Sequence, residues 1–325
     1  MKRDRRPGSR EQEEMGDGDL TRDMGSIRRE SLVNSLGLKY KDFRSGLTPR
    51  YHLVWTHLLS GYGALGLISA AIAGVEVRWP GFFPWIILVG SISYGYTLAY
   101  LQLFIHEAAH YNLAKDRKAN DRLANLFIAT LFGQDINAYR LVHFGHHRHL
   151  GTPLDTEPTY FDPLNLRFIA ESFTGIRAFK AFFRRDSFVR SQQGEGVQGD
   201  SPRRSPSARL ILSLTLHACA VMGAFGLGLW ALGISWVLGM GVFFPFFIGL
   251  RQLLEHRDEF AKGDVDYHRT PHGAVNRMFG SGPLASTFGG AGFNRHLLHH
   301  WEPQLSYTRL KELEAYLIDQ YCRQF

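Results

Sequence analysis

Residues 210–250, LILSLTLHACAVMGAFGLGLWALGISWVLGMGVFFPFFIGL, run for 41 positions without one Asp, Glu, Lys or Arg. A helix on the surface of a soluble protein carries a polar face, whereas about 20 consecutive apolar residues span the hydrocarbon core of a bilayer. The stretch therefore reads as two membrane crossings, and the chain as an integral membrane protein. Residues 51–105 repeat the pattern, broken only by Glu76 and Arg78. The mean hydropathy of −0.16 conceals this, because the charges are placed so unevenly. Of 37 Lys and Arg, 12 lie in residues 1–50, 15 in 106–209 and nine in 251–325.

The polar turn at Glu76, Arg78 and Pro80 divides the first block into spans over Leu53–Val75 and Phe82–Ile105. The second block divides near Leu232–Ser235, giving spans over 210–231 and 234–250. Two helical hairpins return the chain to its starting side, so an N-terminal arm (1–50) and segments 106–209 and 251–325 share that side with 36 of the 37 basic residues. By the positive-inside rule it is the cytoplasm, which places both termini there. The arm lacks an apolar core of the kind a signal peptide needs, and reads as flexible or loosely docked. Basic residues facing an anionic leaflet account for the net charge of +7, and with no nucleic-acid-binding motif in the chain a nucleic-acid partner is not expected. The two cysteines, Cys219 and Cys322, allow at most one bridge.

Four features mark the polar segments. Asn125–Gly133 is apolar but too short to cross a membrane, so it lies at the interface or inside protein. Phe173, Ile176, Phe179 and Phe183 recur at helical spacing beside Arg177, Lys180, Arg184 and Arg185, as in a basic amphipathic helix on the leaflet or a packing helix of a cytosolic cap. Ser191–Ser207 has the composition of a linker. Leu310, Leu313, Leu317 and Tyr321 mark one face of a closing helix.

Eight of the 15 histidines fall in three tight groups: His106 and His110 in HEAAH, His143, His146 and His147 in HFGHH, and His296, His299 and His300 in HLLHH. Spacings of three and four put each group on one helical face. At this composition H-x-x-H-H is expected roughly 0.03 times per chain, and it occurs twice. Imidazole is a borderline ligand that suits iron, zinc, copper and nickel, and eight ligands exceed the four of a zinc site, so the pattern points to two metal ions. Single histidines at 52, 57, 217, 268 and 272, and His149 beside the second group, carry no such pattern.

The order H-x3-H, H-x2-H-H, H-x2-H-H, around a two-plus-two arrangement of spans, resembles the membrane fatty acid desaturase and hydroxylase superfamily. The resemblance runs from about Tyr51 to Leu310. It extends to Asn120-Asp121, Tyr139-Arg140 before the second group, Asp155-x-Glu157-Pro158, Glu255-His256-Arg257, Arg269-Thr270 and Asn294 before the third. It implies an all-α membrane protein of four transmembrane helices with a cytosolic helical cap holding a histidine-rich dimetal site. His256 corresponds to the ninth histidine that follows the last span in this superfamily. By resemblance, one iron is held by His106, His110, His143, His147 and His299, and the second by His146, His256, His296 and His300, with Gln252 reaching the second through water. Asp155, Glu157 and Glu255 either orient imidazoles or cap and solvate loops, and Asn294 bonds backbone near the third group.

The resemblance further implies O2-dependent desaturation of an alkyl or fatty acyl chain at two non-haem irons. No His-Pro-Gly-Gly haem motif or flavin fingerprint is present, so electrons are expected from a separate carrier, a ferredoxin or a cytochrome b5 with its reductase. The implied membrane is the inner membrane of a bacterium or the endoplasmic reticulum of a eukaryote. A hydroxylase or ketolase acting on a lipid, carotenoid or small metabolite with the same site is the alternative. A histidine-rich metal transporter is the alternative from another class, against which stands the position of the clusters outside the spans.

Overall fold

The computed structural model describes residues 24, 27–177, 180, 208–270, 274–279 and 290–321. Among these the backbone is helix and turn, with one isolated bridge between Val33 and Lys39. In chain order the helices are α1 (Tyr40–Ser45), α2 (Tyr51–Arg78), α3 (Phe83–Ala109), α4 (Arg117–Phe127), α5 (Ile136–His149) and α6 (Leu166–Phe173). There follow α7 (Ala208–Gly226), α8 (Trp230–Leu238), α9 (Phe244–His256), α10 (His296–Trp301) and α11 (Leu310–Tyr321). A π-helical turn, Gly239–Phe243, joins α8 to α9 into one rod. Among the described residues, four stretches are long and apolar enough to cross a membrane: Tyr51–Arg78, Pro80–Ala109, Ala208–Gly226 and Trp230–His256.

α3 is the axis of the bundle, packing on α2, α8, α9 and α5. Lipid tails are as apolar as leucine, so close backbone approach rather than hydrophobicity holds such helices together. Glycine supplies it: a Cβ on Gly95 would lie 2.3 Å from Phe243 Cβ, and one on Gly239 would lie 2.6 Å from Tyr94 Cβ. These contacts fix the π-helical turn against α3, and so fix the direction in which α9 leaves the bundle.

Several expectations shift. The second hairpin turns at 227–229 rather than near Leu232–Ser235. Gly228 takes the left-handed conformation there (φ +77°), while Gly233 stays helical to receive the Phe225 ring. α3 runs beyond Ile105 to Ala109 and α9 beyond Leu250 to His256, so the histidines at their ends ride on rigid membrane helices. The helical face expected through 173–183 is not continuous: α6 ends at Phe173, Gly175 (φ +74°) turns the chain, and Ile176, Arg177 and Lys180 are helical again. Arg177 then folds back over the Phe168 ring and onto Asp162 at 3.1 Å. Phe179, Phe183, Arg184, Arg185 and the 191–207 linker lie outside the described residues.

Asn125–Gly133 buries Ile128 and Ala129 but leaves Leu126 and Phe127 exposed. Its 3-10 turn, Ala129–Phe132, rests against α7, where Ser213 Oγ donates to the Leu131 carbonyl at 3.0 Å. His217 also sits on that carbonyl at 2.8 Å and accepts from Trp236 Nε1, as an ordinary paired histidine does.

Residues 1–23, 25 and 26 of the arm lie outside the described residues, and the described part is docked on the C-terminal segment. Leu32 and Tyr40 enter one apolar cluster with Leu298, Trp301, Leu305, Leu310, Leu313 and Tyr316. The Tyr40 hydroxyl donates to Glu302 at 2.6 Å, and Arg29 lies over the Trp301 ring.

Candidate metal centre

The first two histidine groups are carried by helices whose ends are held by polar contacts. Asp135 caps α5 by accepting from Asn137 N at 2.8 Å, so the helix starts where it must to present His143, His146 and His147. Arg140, on the same helix, donates through Nε to the Ala109 carbonyl at 2.9 Å. Its guanidinium also pairs with Asp121, and Asn120 Nδ2 donates to the Ala108 carbonyl at 2.9 Å. The Asn120-Asp121 and Tyr139-Arg140 motifs thus satisfy the open carbonyls at the end of α3, where His106 and His110 sit.

The fold brings all nine expected histidines together. Donor atoms of His106, His110, His143, His147 and His299 lie within 4.8 Å of one another, as do those of His146, His256 and His300, and those of Glu255, His256 and His296. A cavity is lined by members of both clusters, including His106, His143, His146, His256 and His296, together with Phe293.

The chemistry of these donors fits metal ions. The Nε2–Nε2 separations are 3.0 Å for His110–His143 and for His143–His147, and 3.1 Å for His147–His299. They are 3.2 Å for His146–His256 and 2.9 Å for His256–His296. A neutral imidazole nitrogen offers either one proton or one lone pair, yet His143, His147 and His256 each face two other nitrogens. Hydrogen bonding cannot satisfy such a ring of nitrogens, whereas a cation at its centre can. Two nitrogens each about 2.1 Å from one ion and at right angles are about 3.0 Å apart. His106 Nε2 and His300 Nε2 are buried without a hydrogen-bond partner.

Burial, reinforced by neighbouring imidazoles, holds His110, His147, His296, His299 and His300 well below the usual histidine range. They stand neutral at pH 7, as ligands must. Burial pushes His146 the same way, but Asp155 outweighs it and raises the imidazole to about 9. Asp155 receives His146 Nδ1 at 2.9 Å, the Tyr160 hydroxyl at 2.5 Å and Glu157 N at 2.8 Å. Burial would raise Glu157, but His143, whose Nδ1 lies 3.5 Å away, brings it down to about 2.

Gln252 donates to Glu157 at 3.2 Å and lines the cavity with His146, His256 and His296, its Oε1 buried without a hydrogen-bond partner. Asn294 is buried; its backbone carbonyl accepts from Phe279 N at 2.7 Å and its Oδ1 from Arg295 at 3.4 Å. Three residues at the site carried no signal in the histidine pattern. Glu107, inside the first box, lies 3.7 Å from His106 Nδ1 and accepts from Asn112 and Ser306. Tyr160 supports Asp155, and Arg251 pairs with Glu255 at 3.3 Å. An acid directly beside a ligating histidine was the available clue to Glu107; Tyr160 and Arg251 are placed by tertiary packing alone.

A family model described as Fatty acid desaturase matches residues 83–324, from the start of α3 to beyond α11. A comparison with curated proteins finds no match. The match takes in all nine clustered histidines and both carboxylates behind them, and with four apolar helices it makes the chain an integral membrane oxidoreductase. The chain belongs to the fatty acid desaturase family.

Proposed function

We propose that the chain desaturates an alkyl or fatty acyl chain, using O2 and two iron ions held at the two donor clusters. The observation that carries this reading is the division of nine histidines into two adjoining sets at the end of an apolar bundle. Iron bound there would supply the redox chemistry that draws hydrogen from unactivated C–H bonds, which no acid–base side chain can do. His106, His110, His143, His147 and His299 would hold one ion; His146, His256, His296 and His300 would hold the other.

The protein's own part is positioning. Asp155 fixes the ring of His146 through Nδ1, and Glu157 stands behind His143 in the same way, which raises the basicity of each ligand. Phe293, 4.7 Å from the His106 ring, gives the cavity an apolar wall suited to a hydrocarbon. The substrate would arrive from the bilayer, and electrons from a separate ferredoxin or cytochrome b5. The charge distribution supports placing the histidine end in the cytoplasm, and the fluorescence of a C-terminal GFP fusion tests that placement.

The reading is tested by expressing the chain with a reductase system and comparing extracts of wild type and His147→Ala by untargeted mass spectrometry. A product lighter by two hydrogens and absent from the variant is expected. A product gaining oxygen would replace desaturation by hydroxylation, and equal products from both proteins would overturn the metal assignment.

A further inference from the structure

Four carboxylates adjoin the histidine cluster, and they do not stand in equivalent places. Asp155, Glu157 and Glu107 face the Nδ1 atoms of His146, His143 and His106, at 2.9, 3.5 and 3.7 Å. Where Nε2 of such a ring points inward, a carboxylate at Nδ1 stands behind the ring and orients it. His146 is the clear case, with Nδ1 on Asp155 and Nε2 turned to His256. Glu255 differs. Its Oε2 lies 3.9 Å from Nε2 of His296, the same atom that lies 2.9 Å from His256 Nε2.

We propose that Glu255 is a direct ligand of the second metal ion, joining His146, His256, His296 and His300 as a fifth donor. The inference rests on the dimetal reading above. A separation of 3.9 Å is too long for a hydrogen bond, so His296 does not satisfy the carboxylate. Glu255 is 3 % exposed, and its Oε1 has no hydrogen-bond partner despite lying 3.3 Å from Arg251. A buried carboxylate is costly unless cations adjoin it, and Arg251 stands on the Oε1 side, which leaves Oε2, the oxygen turned to His296, to a metal ion. Its donor atom also falls within 4.8 Å of those of His256 and His296, while His256 belongs equally to the set with His146 and His300. One ion near His256 is therefore within reach of both groups.

The consequence is that the two ions match in donor number and differ in kind. The first would have five imidazoles, and the second four imidazoles and one carboxylate, a hard oxygen donor well suited to iron. Arg251 would then hold the carboxylate from the side away from His296, as a positioning residue.

The test is iron binding by the purified full-length chain in detergent, loaded anaerobically with 57Fe(II) and followed by Mössbauer spectroscopy and by iron retention against a chelator. Wild type is expected to bind two irons with two distinct quadrupole doublets. Glu255→Gln is expected to change one doublet and to release that iron at about tenfold lower chelator concentration. Arg251→Gln is expected to keep both irons with two distinct doublets. Should the Gln variant at 255 fail to fold, Glu255→Asp, whose carboxylate is drawn back by one methylene, takes its place and is expected to change the same doublet.

Two distinct doublets in Glu255→Gln with unaltered parameters and unaltered retention would overturn the ligand assignment. Equal effects of the 251 and 255 substitutions would also overturn it, since they would make Glu255 a counter-ion of Arg251 only. Wild type that binds fewer than two irons would instead overturn the dimetal reading beneath it.

Discussion

Glu76, at the far end of α2, accepts the backbone N–H of Ala231 at 2.7 Å and that of Leu232 at 3.3 Å, so one membrane helix caps the start of another. α8 has no side-chain cap at its N-cap residue, and Ala231 is fully buried, so its N–H needs an acceptor from the protein. Replacing Glu76 by Ala is expected to cost about 1–2 kcal/mol, seen as a lower melting temperature in detergent. Glu76→Gln, which keeps an acceptor but not the charge, should fall between the two.

Gly95 is expected to tolerate no side chain. A Cβ there would press on Phe243 Cβ at 2.3 Å and on the backbone nitrogen of Phe244 at 2.8 Å, so neither neighbour can yield cheaply. Gly95→Ala should cost about 1–3 kcal/mol and reduce iron retention by tilting α9, which carries Glu255 and His256. Gly66→Ala on α2, where a Cβ meets nothing within 4 Å, is the control and should leave both measurements unchanged or slightly improved.

Asp155→Asn should leave the fold standing while weakening the second ion. Tyr160 and the Glu157 backbone donate to different oxygens of Asp155, so the single amide oxygen keeps one of the two bonds, and the amide no longer offers a negative charge to His146. Loss of such a partner typically lowers metal affinity about 10–100-fold. Competition with a graded set of chelators measures it, and an affinity equal to wild type would show that Asp155 serves the loop alone.

Arg140→Lys is expected to behave as a severe substitution despite keeping the charge. The guanidinium reaches the Ala109 and Ala108 carbonyls at 2.9 and 3.3 Å, pairs with Asp121 and stacks 4.0 Å over the Tyr111 ring. An ammonium group cannot make all four contacts. A loss of about 1.5–3 kcal/mol is expected, with both histidine groups that Arg140 ties together releasing iron more easily.

The sequence made the main architecture legible because two strong physical signals dominate it. Charge exclusion over 51–105 and 210–250 marks the membrane helices, and histidine spacing marks eight of the nine histidines that the fold gathers. Features set by backbone conformation were less visible: Gly228, rather than the Leu232–Ser235 region, turns the second hairpin, and Gly175 interrupts a face that hydrophobic spacing alone would continue. Contacts between distant segments were not visible at all. Nothing near Glu76 in the sequence announces Ala231, and nothing near Arg251 shows that Glu255 will meet His296 across 41 residues of chain. The carboxylates beside histidines were recognisable as a class, but which of them faces Nδ1 and which faces Nε2 is decided by ring orientation.

The third histidine group also sets an order of events in the life of the chain. His299 completes one donor set and His296 and His300 the other, so neither set is whole until synthesis has passed residue 300. The helix that carries them packs on Leu32 and Tyr40, among the earliest residues made, through Leu298 and Trp301. The segment around residues 32–40 must therefore wait through insertion of all four membrane helices before its partner emerges. On the proposed reading, metal loading would in consequence be a late, post-translational step, and a chain truncated before α10 would sit in the membrane with its first two histidine groups exposed and neither donor set complete.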